Sequence, residues 1–166
     1  MEHIKKILAP TDFSELSVVG VRHALELARI SGATVTVYHV IDDAEMLVYG
    51  REAARGMPGQ PSQVVFLLEK YQRALSDFLR ANFADLLPLV ETHEKVEVGA
   101  PVKNIVEEAK KQGVDLIVMS THGRTGLTHL LAGSVTEKVI RHAPCPVLSI
   151  RPQPKEDARR QVRRAA

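Results

Sequence analysis

A short apolar run in the second half of the chain places the strongest constraint on the fold. Residues 116–119 read LIVM, without the alternation of polar and apolar residues that a half-exposed strand shows. Such a run is typical of a strand that lies in a parallel sheet and is covered on both faces. Gly123 follows it, and Gly133-Ser134 then begin a segment with apolar residues at helical spacing, namely Val135, Val139 and Ile140. The stretch 115–136 therefore predicts a strand, a glycine-bearing loop and the start of a helix.

Strands and helices alternate in the same way along the whole chain. Strands are predicted at 4–9, 34–41, 90–98, 116–119 and 146–151, and helices at about 14–30, 62–83, 102–112 and 134–142. This alternation predicts an α/β fold: a single-domain, doubly wound (Rossmann-like), five-stranded parallel sheet with helices on both faces. The strand at 90–98 carries polar residues and is expected near an edge. Residues 42–61 include several Gly and Pro and are expected to form a mobile loop, with or without a short helical piece.

Length and charge predict one domain, residues 1–152, followed by a basic, disordered tail, residues 153–166. The net charge of +2 comes from that tail, which has five Lys and Arg residues against two acidic ones. Because the body is close to neutral, a specific nucleic-acid partner is not expected. No apolar run approaches the roughly 20 residues that span a bilayer, so a cytoplasmic location without membrane contact is expected. Cys145 is the only cysteine and is expected to be a plain reduced thiol.

The loop that follows residues 116–119 lies where a ligand is expected to bind. Parallel α/β sheets bind ligands outside the carboxyl ends of their strands. Glycines let the backbone approach an anion closely, and the free N–H groups at a helix start carry a partial positive charge, so these residues predict a phosphate-binding site. The P-loop motif is missing, and so is G-x-G-x-x-G after the first strand, where the sequence reads APTDFS. P-loop NTPases and dinucleotide oxidoreductases are therefore disfavoured.

Three segments together resemble the universal stress protein family (UspA-like), in its nucleotide-binding branch. They are APTDFS at residues 9–14, YHVID at 38–42 and MSTHGRTGLTHLLAGSVTEKVIRHAPCPVLSI at 119–150, and the resemblance extends over residues 2–152. The family motif is a glycine, two residues, a second glycine, nine residues and then Gly-Ser or Gly-Thr. Here Gly123 is the second glycine and Gly133-Ser134 closes the motif, whereas Ser120 replaces the first glycine. The resemblance implies an adenine nucleotide alpha hydrolase-like fold.

The resemblance also implies a ligand and the residues that bind it. The ligand would be ATP, with or without Mg²⁺, and the chain would be a nucleotide-responsive stress regulator that hydrolyses ATP slowly at most, with no assigned catalytic residue. Asp12 would lie near the ribose or near a phosphate bridged by Mg²⁺, Val40 would contact the adenine, and Arg124 would meet phosphates. A homodimer through the final strand, Pro146–Arg151, is implied as well. The implied nucleotide-binding residues are Pro10, Thr11, Asp12, Val40, Met119, Ser120, His122, Gly123, Arg124, Gly133, Ser134, Val135 and Thr136.

Two other functions stay open on the sequence. Ser120 in place of the motif glycine favours a stress-response interaction module that binds no nucleotide and acts through its dimer surface. An enzyme of adenylate chemistry is the third reading, because related folds use the same cleft for such reactions. His39 and His122 are expected to be hydrogen-bonded residues near the site rather than metal ligands or bases. His122 and His129 do not make a zinc-ligand set, since no cysteine or carboxylate cluster accompanies them.

Two residues of the implied site have an alternative role as helix caps. Asp12 and Glu15 have the spacing of a capping box, and Asp12 would then only cap the first helix. Ser134 and Glu137 have the same spacing, so the Ser134 hydroxyl would be engaged within its own helix. In that arrangement the backbone N–H groups, rather than the hydroxyl, would bind phosphate.

Overall fold

The computed structural model describes residues 4–43, 45–46, 63–121 and 134–151. Within these residues five parallel strands form one sheet: β1 (Lys6–Pro10), β2 (Thr34–Asp42), β3 (Thr92–Gly99), β4 (Leu116–Ser120) and β5 (Val147–Ile150). Their order across the sheet is β3-β2-β1-β4-β5. β3 therefore lies at one edge, as its polar residues predicted, and β5 lies at the other. The predicted five-stranded parallel sheet is confirmed.

Helices cover both faces of this sheet. They are α1 (Glu15–Ser31), α2 (Gln63–Phe83), α3 (Pro101–Gln112) and α4 (Ser134–His142), and a short 3₁₀ turn at Leu87–Leu89 precedes β3. In the described part of the chain, none of the helices is both long and apolar enough to cross a membrane. The predicted strands and helices agree with the observed ones to within two residues at each end.

Apolar cores on both faces of the sheet hold the helices against it. Successive residues of a strand point to opposite faces. For this reason β1 contributes Ile7 and Ala9 to the core under α1 and α2, and Leu8 to the core under α3 and α4. β4 is buried along its whole length, so the uninterrupted run LIVM indicated its position correctly.

Two local predictions are wrong. The first strand was predicted to end at residue 9, but Pro10 is its last residue and is paired with Tyr38. The amide of the next residue, Thr11, donates to the Tyr38 carbonyl at 2.9 Å and continues the ladder that Pro10 cannot serve. Ile140 was grouped with Val139 in one set of apolar residues at helical spacing, but it is 47% exposed. Adjacent helical residues point about 100° apart, so only Val139 faces the sheet.

The strand order places a crevice at one end of the sheet. After β1 the chain crosses to β2 on one side, and later to β4 on the other side. The connections leaving the carboxyl ends of β1 and β4 therefore diverge to opposite faces. Ligands of open α/β sheets bind at such a switch point, so a ligand site is expected at the carboxyl ends of β1 and β4.

Candidate functional site

A cleft of about 340 Å³ opens at the carboxyl ends of β1, β2 and β4. Four of the residues assigned from the sequence, His122, Gly123, Arg124 and Gly133, lie outside the described residues. The cleft brings together residues from three strand ends and from the start of α4. The assigned residues that line it are Pro10, Thr11, Asp12, Val40, Met119, Ser120, Ser134, Val135 and Thr136.

The turn between β1 and α1 forms one wall of the cleft and is held by its own side chains. The Thr11 hydroxyl lies 2.9 Å from the Ser17 hydroxyl and accepts a hydrogen bond from the Phe13 amide at 3.1 Å. The Asp12 carboxylate accepts hydrogen bonds from the amide and the hydroxyl of Ser14, at 3.1 and 2.6 Å. These contacts fix the wall before any ligand binds.

The capping box predicted between Asp12 and Glu15 is wrong. Ser14 is the N-cap of α1, because its side-chain oxygen accepts from the Ser17 amide at 3.1 Å. Asp12 lies two residues earlier, orders that cap from outside the helix, and lines the cleft. The sequence spacing could not decide between the two residues, because Asp and Ser are about equally favoured at an N-cap position.

The capping box predicted between Ser134 and Glu137 is not the arrangement observed either. Ser134 is already the first helical residue of α4. The Glu137 carboxylate accepts a hydrogen bond from Arg141 at 2.8 Å, one turn further along the same helix. Glu137 thus turns away from the start of the helix, where Ser134 lines the cleft.

His39 lines the cleft and packs in a group of aromatic rings. Its side chain is buried, and its Nδ1 makes a hydrogen bond of 2.8 Å with the Thr11 carbonyl. Its ring centroid lies 4.2 Å from that of Phe13 and 5.1 Å from that of Tyr71. Phe13 adopts a left-handed backbone with φ of 62°, which is uncommon for an aromatic residue. His39 is therefore a hydrogen-bonded residue next to the site, as predicted.

The end of β4 is the floor of the cleft and is tied to α4. Ser120 is buried, and its carbonyl accepts a hydrogen bond from the Thr136 hydroxyl at 2.9 Å. Among the described non-glycine residues only Phe13 has a positive φ. Ser120 therefore keeps an ordinary strand backbone and needs none of the conformational freedom of the motif glycine that it replaces.

Tyr38 links the cleft to an ionic network. The residue lines the cleft, and its hydroxyl donates to Glu97 at 2.5 Å. Burial and the hydrogen bond to Glu97 raise the pKa of Tyr38, so the hydroxyl stays protonated. The Lys95 ammonium lies 2.8 Å from Glu97 and 2.6 Å from Glu108 on α3. The network thereby joins β2, β3 and α3.

The pKa values of the network follow from these contacts. Burial alone would lower the pKa of Lys95, but its hydrogen bonds with Glu108 and Glu97 outweigh burial and raise it. Burial alone would raise the pKa of Glu97, but its hydrogen bonds with Lys95 and Tyr38 outweigh burial and lower it. Both groups are therefore charged at neutral pH, and the contact of Lys95 with Glu108 ties α3 to β3 beside the cleft.

The lining of the cleft combines two kinds of chemistry. Val40, Ile105 and Met119 provide apolar surface. The start of α4 at Ser134 also lines the cleft, and the first backbone N–H groups of a helix have no partner within the helix. Such a cleft can take a ligand that has both an apolar ring and an anionic group.

A model of the universal stress protein family matches residues 3–151. The chain belongs to this family. Universal stress protein MJ0531 of Methanocaldococcus jannaschii is 37% identical over 155 residues, which cover 92% of this chain and 85% of that relative. Universal stress protein MJ0577 of the same organism is 32% identical over 155 residues, with 89% and 94% covered. The resemblance found in the sequence is confirmed.

Solved structures agree with this assignment to the universal stress proteins. The structure of MJ0577 matches with a TM-score of 0.73 at 29% identity, over 92% of this chain and 99% of that chain. Universal stress protein UspA from Lactobacillus plantarum matches with a TM-score of 0.71 at 25% identity, over 91% and 100%. The fold is the Rossmann-like, adenine nucleotide alpha hydrolase-like fold that the sequence implied.

Several cleft residues of this universal stress protein were not assigned from its sequence. Pro101 and Ile105 belong to the start of α3, which follows the carboxyl end of β3. Their position agrees with the rule that ligands of parallel sheets bind outside the carboxyl ends of the strands. The remaining unassigned residues of the cleft are Ser17, Tyr38, His39, Asp42 and Glu45.

Cys145 lies away from the cleft, just before β5. Burial raises the pKa of its thiol. The thiol is therefore protonated at neutral pH, and a protonated thiol is a poor nucleophile.

Proposed function

We propose that the cleft binds an adenine nucleotide, and that ATP is the ligand to which this universal stress protein responds. One observation carries the proposal: an apolar wall and a helix start meet in one cavity of about 340 Å³. Val40, Ile105 and Met119 suit a purine ring, whereas the N–H groups at the start of α4 suit phosphate. The volume lies within the range of about 300–1,000 Å³ typical of small-molecule sites.

In this proposal the two ends of ATP meet different groups. Asp12 lies near the ribose or near a phosphate bridged by Mg²⁺. Mg²⁺ prefers carboxylate, phosphate and water oxygens, and the Asp12 carboxylate on the cleft wall is a fitting donor. The phosphates meet the backbone N–H groups of residues 134–136. From the motif, we add Gly123, Arg124 and Gly133 to the phosphate-binding set, with Arg124 supplying charge.

Two further structures of the fold support the choice of ligand class. A universal stress protein solved in complex with cAMP matches with a TM-score of 0.60 at 23% identity. A universal stress protein from Archaeoglobus fulgidus solved in complex with dAMP matches with a TM-score of 0.55 at 22% identity. At these identities the matches establish the fold alone, and adenine as the base in this chain is our proposal.

Binding, rather than turnover, is the role that we infer. Among the described residues of the cleft, His39 engages the Thr11 carbonyl through its Nδ1, and its Nε2 is buried away from solvent, which disfavours this histidine as a general base. A nucleotide that binds one conformation more tightly than another shifts the population toward it. The chain would therefore report nucleotide levels to a downstream partner.

We also propose a homodimer through the segment Pro146–Arg151. Its strand β5 pairs with β4 and is an edge of the described sheet. Leu148 of β5 is 40% exposed, and Ile140 of the neighbouring helix α4 is 47% exposed. Apolar edge strands are usually covered or paired. The second candidate function, an interaction module that binds no nucleotide, would act through the same edge.

Titration calorimetry tests the nucleotide proposal. We expect saturable binding of ATP in the presence of Mg²⁺, weaker binding of adenosine and no comparable binding of GTP. Arg124→Ala should weaken the binding of ATP more than the binding of adenosine, because only ATP has phosphates that can contact the guanidinium. Arg29→Ala, at an exposed position of α1, is the matched control. Absence of ATP binding to the freshly purified protein, with no nucleotide released on denaturation, would favour the interaction module instead.

A further inference from the structure

Gly20 lies in the interior of α1 and against the end of β4. A Cβ atom at this position would lie 2.7 Å from the Ser120 amide nitrogen, and 3.0 and 3.2 Å from the carbonyl carbon and Cα of Met119. All three neighbours are backbone atoms, which cannot swing aside as a flexible side chain can. A glycine inside a helix is unfavourable relative to alanine, so this close packing is the physical reason for its presence.

Both sides of this contact carry residues of the cleft. On the helix side, Ser17 lies one turn before Gly20 and its hydroxyl is 2.9 Å from that of Thr11. On the strand side, Met119 and Ser120 form the floor of the cleft. A larger residue at position 20 must displace the helix or the strand, and either displacement moves a wall.

A displacement of β4 would also reach the start of α4. The Ser120 carbonyl accepts the hydrogen bond from the Thr136 hydroxyl at 2.9 Å, and both groups are buried. Moving Ser120 therefore either breaks this bond or moves the helix start with it. The N–H groups at that start are the ones to which we assign phosphate.

We propose that Gly20 is a positioning residue that sets the width of the cleft. It makes no contact with the ligand and acts through Ser120 on one side and through Ser17 on the other. The predicted effect of Gly20 on ligand affinity rests on the proposed function. Its predicted effect on the end of β4 does not depend on any ligand.

Gly20→Ala tests the inference, and Gly32→Ala is the matched control. Gly32 ends the same helix with φ of 72°, and a Cβ atom added there would have no heavy atom within 4 Å. Its substitution should strain the helix end and lower stability without reaching the cleft. We expect Gly20→Ala to weaken ATP binding roughly tenfold. Gly32→Ala should leave the ATP affinity within about twofold of the wild type. Both affinities are measured by calorimetry on the folded protein.

Nuclear magnetic resonance separates this inference from the proposed function. In the absence of nucleotide, Gly20→Ala should shift the amide signals of Ser120 and Thr121, whereas Gly32→Ala should not. If the wild type binds no ATP but these shifts occur, the proposed function fails and the packing role of Gly20 stands. If the wild type binds ATP and Gly20→Ala folds, binds equally well and leaves Ser120 unshifted, the inference is overturned.

A second pair of variants tests the same linkage if Gly20→Ala does not fold. Thr136→Val removes the hydroxyl that holds the Ser120 carbonyl, and Thr136→Ser keeps it. We expect weaker ATP binding with Val and recovery with Ser. Equal ATP affinities of the two variants would overturn the proposal that the joined ends of β4 and α4 determine the width of the cleft.

Discussion

Replacing Lys95 by Met removes the ammonium group that pairs two carboxylates beside the cleft. Its Nζ lies 2.6 Å from Glu108 and 2.8 Å from Glu97. The Glu108 side chain is only 3% exposed, so water cannot replace the lost partner. Breaking a buried ion pair costs about 3–5 kcal/mol. Because the Lys95 side chain is 26% exposed, we expect Lys95→Met to lower the free energy of unfolding by about 2–4 kcal/mol.

Urea unfolding followed by circular dichroism measures this loss, with Lys103→Met as the control. Lys103 lies 3.9 Å from Glu107, and both side chains are about two-thirds exposed or more, at 71% and 66%. Its loss should stay below about 0.5 kcal/mol. The double variant Lys95→Met with Glu108→Gln should recover much of the stability, because the uncompensated charge is removed as well. Equal losses for the two Lys variants, or no recovery in the double variant, would refute the reasoning.

Two further predictions concern other parts of the chain. The Lys5 and Lys6 amides donate to Asp115 at 2.8 and 2.9 Å and lower its pKa from the ordinary 3.8. Asp115→Ala should therefore be less stable than the wild type at neutral pH. The difference should shrink as the pH falls below 3.8, because the protonated carboxyl binds the amides less well. Urea unfolding at neutral pH and at a pH below 3.8 measures the difference, and a constant difference would contradict this prediction. Leu148→Arg on β5 should convert the proposed dimer into a monomer, as measured by light scattering. Leu89→Arg, at an exposed position of the 3₁₀ turn, should leave the dimer intact. A dimeric Leu148→Arg variant would argue against the β5 interface.

The fold could be predicted because its local signals agree with one another. The run LIVM at 116–119 gave a strand covered on both faces, and β4 is buried throughout. The helix predicted at 102–112 is followed by Gly113, which has the left-handed backbone, φ of 60°, that a helix C-terminus favours. Each of these signals depends on residues close together in sequence.

Less of the site could be predicted, because its geometry depends on contacts between distant segments. Nothing in the spacing of Asp12 and Glu15 revealed that Ser14 would cap α1. Pro101 and Ile105 reach the cleft only because α3 packs beside β2 and β3. The close approach of Gly20 to Ser120 joins positions 100 residues apart in the chain, and a single sequence carries no signal for it.

A crystal structure of the protein grown with Mg²⁺ and ATP tests the central claim most directly. The account predicts that the adenine lies against Val40 and Met119, and that the phosphates meet the backbone N–H groups at the start of α4. ATP bound at another surface, or a cleft that stays empty at saturating ATP, would contradict the assignment.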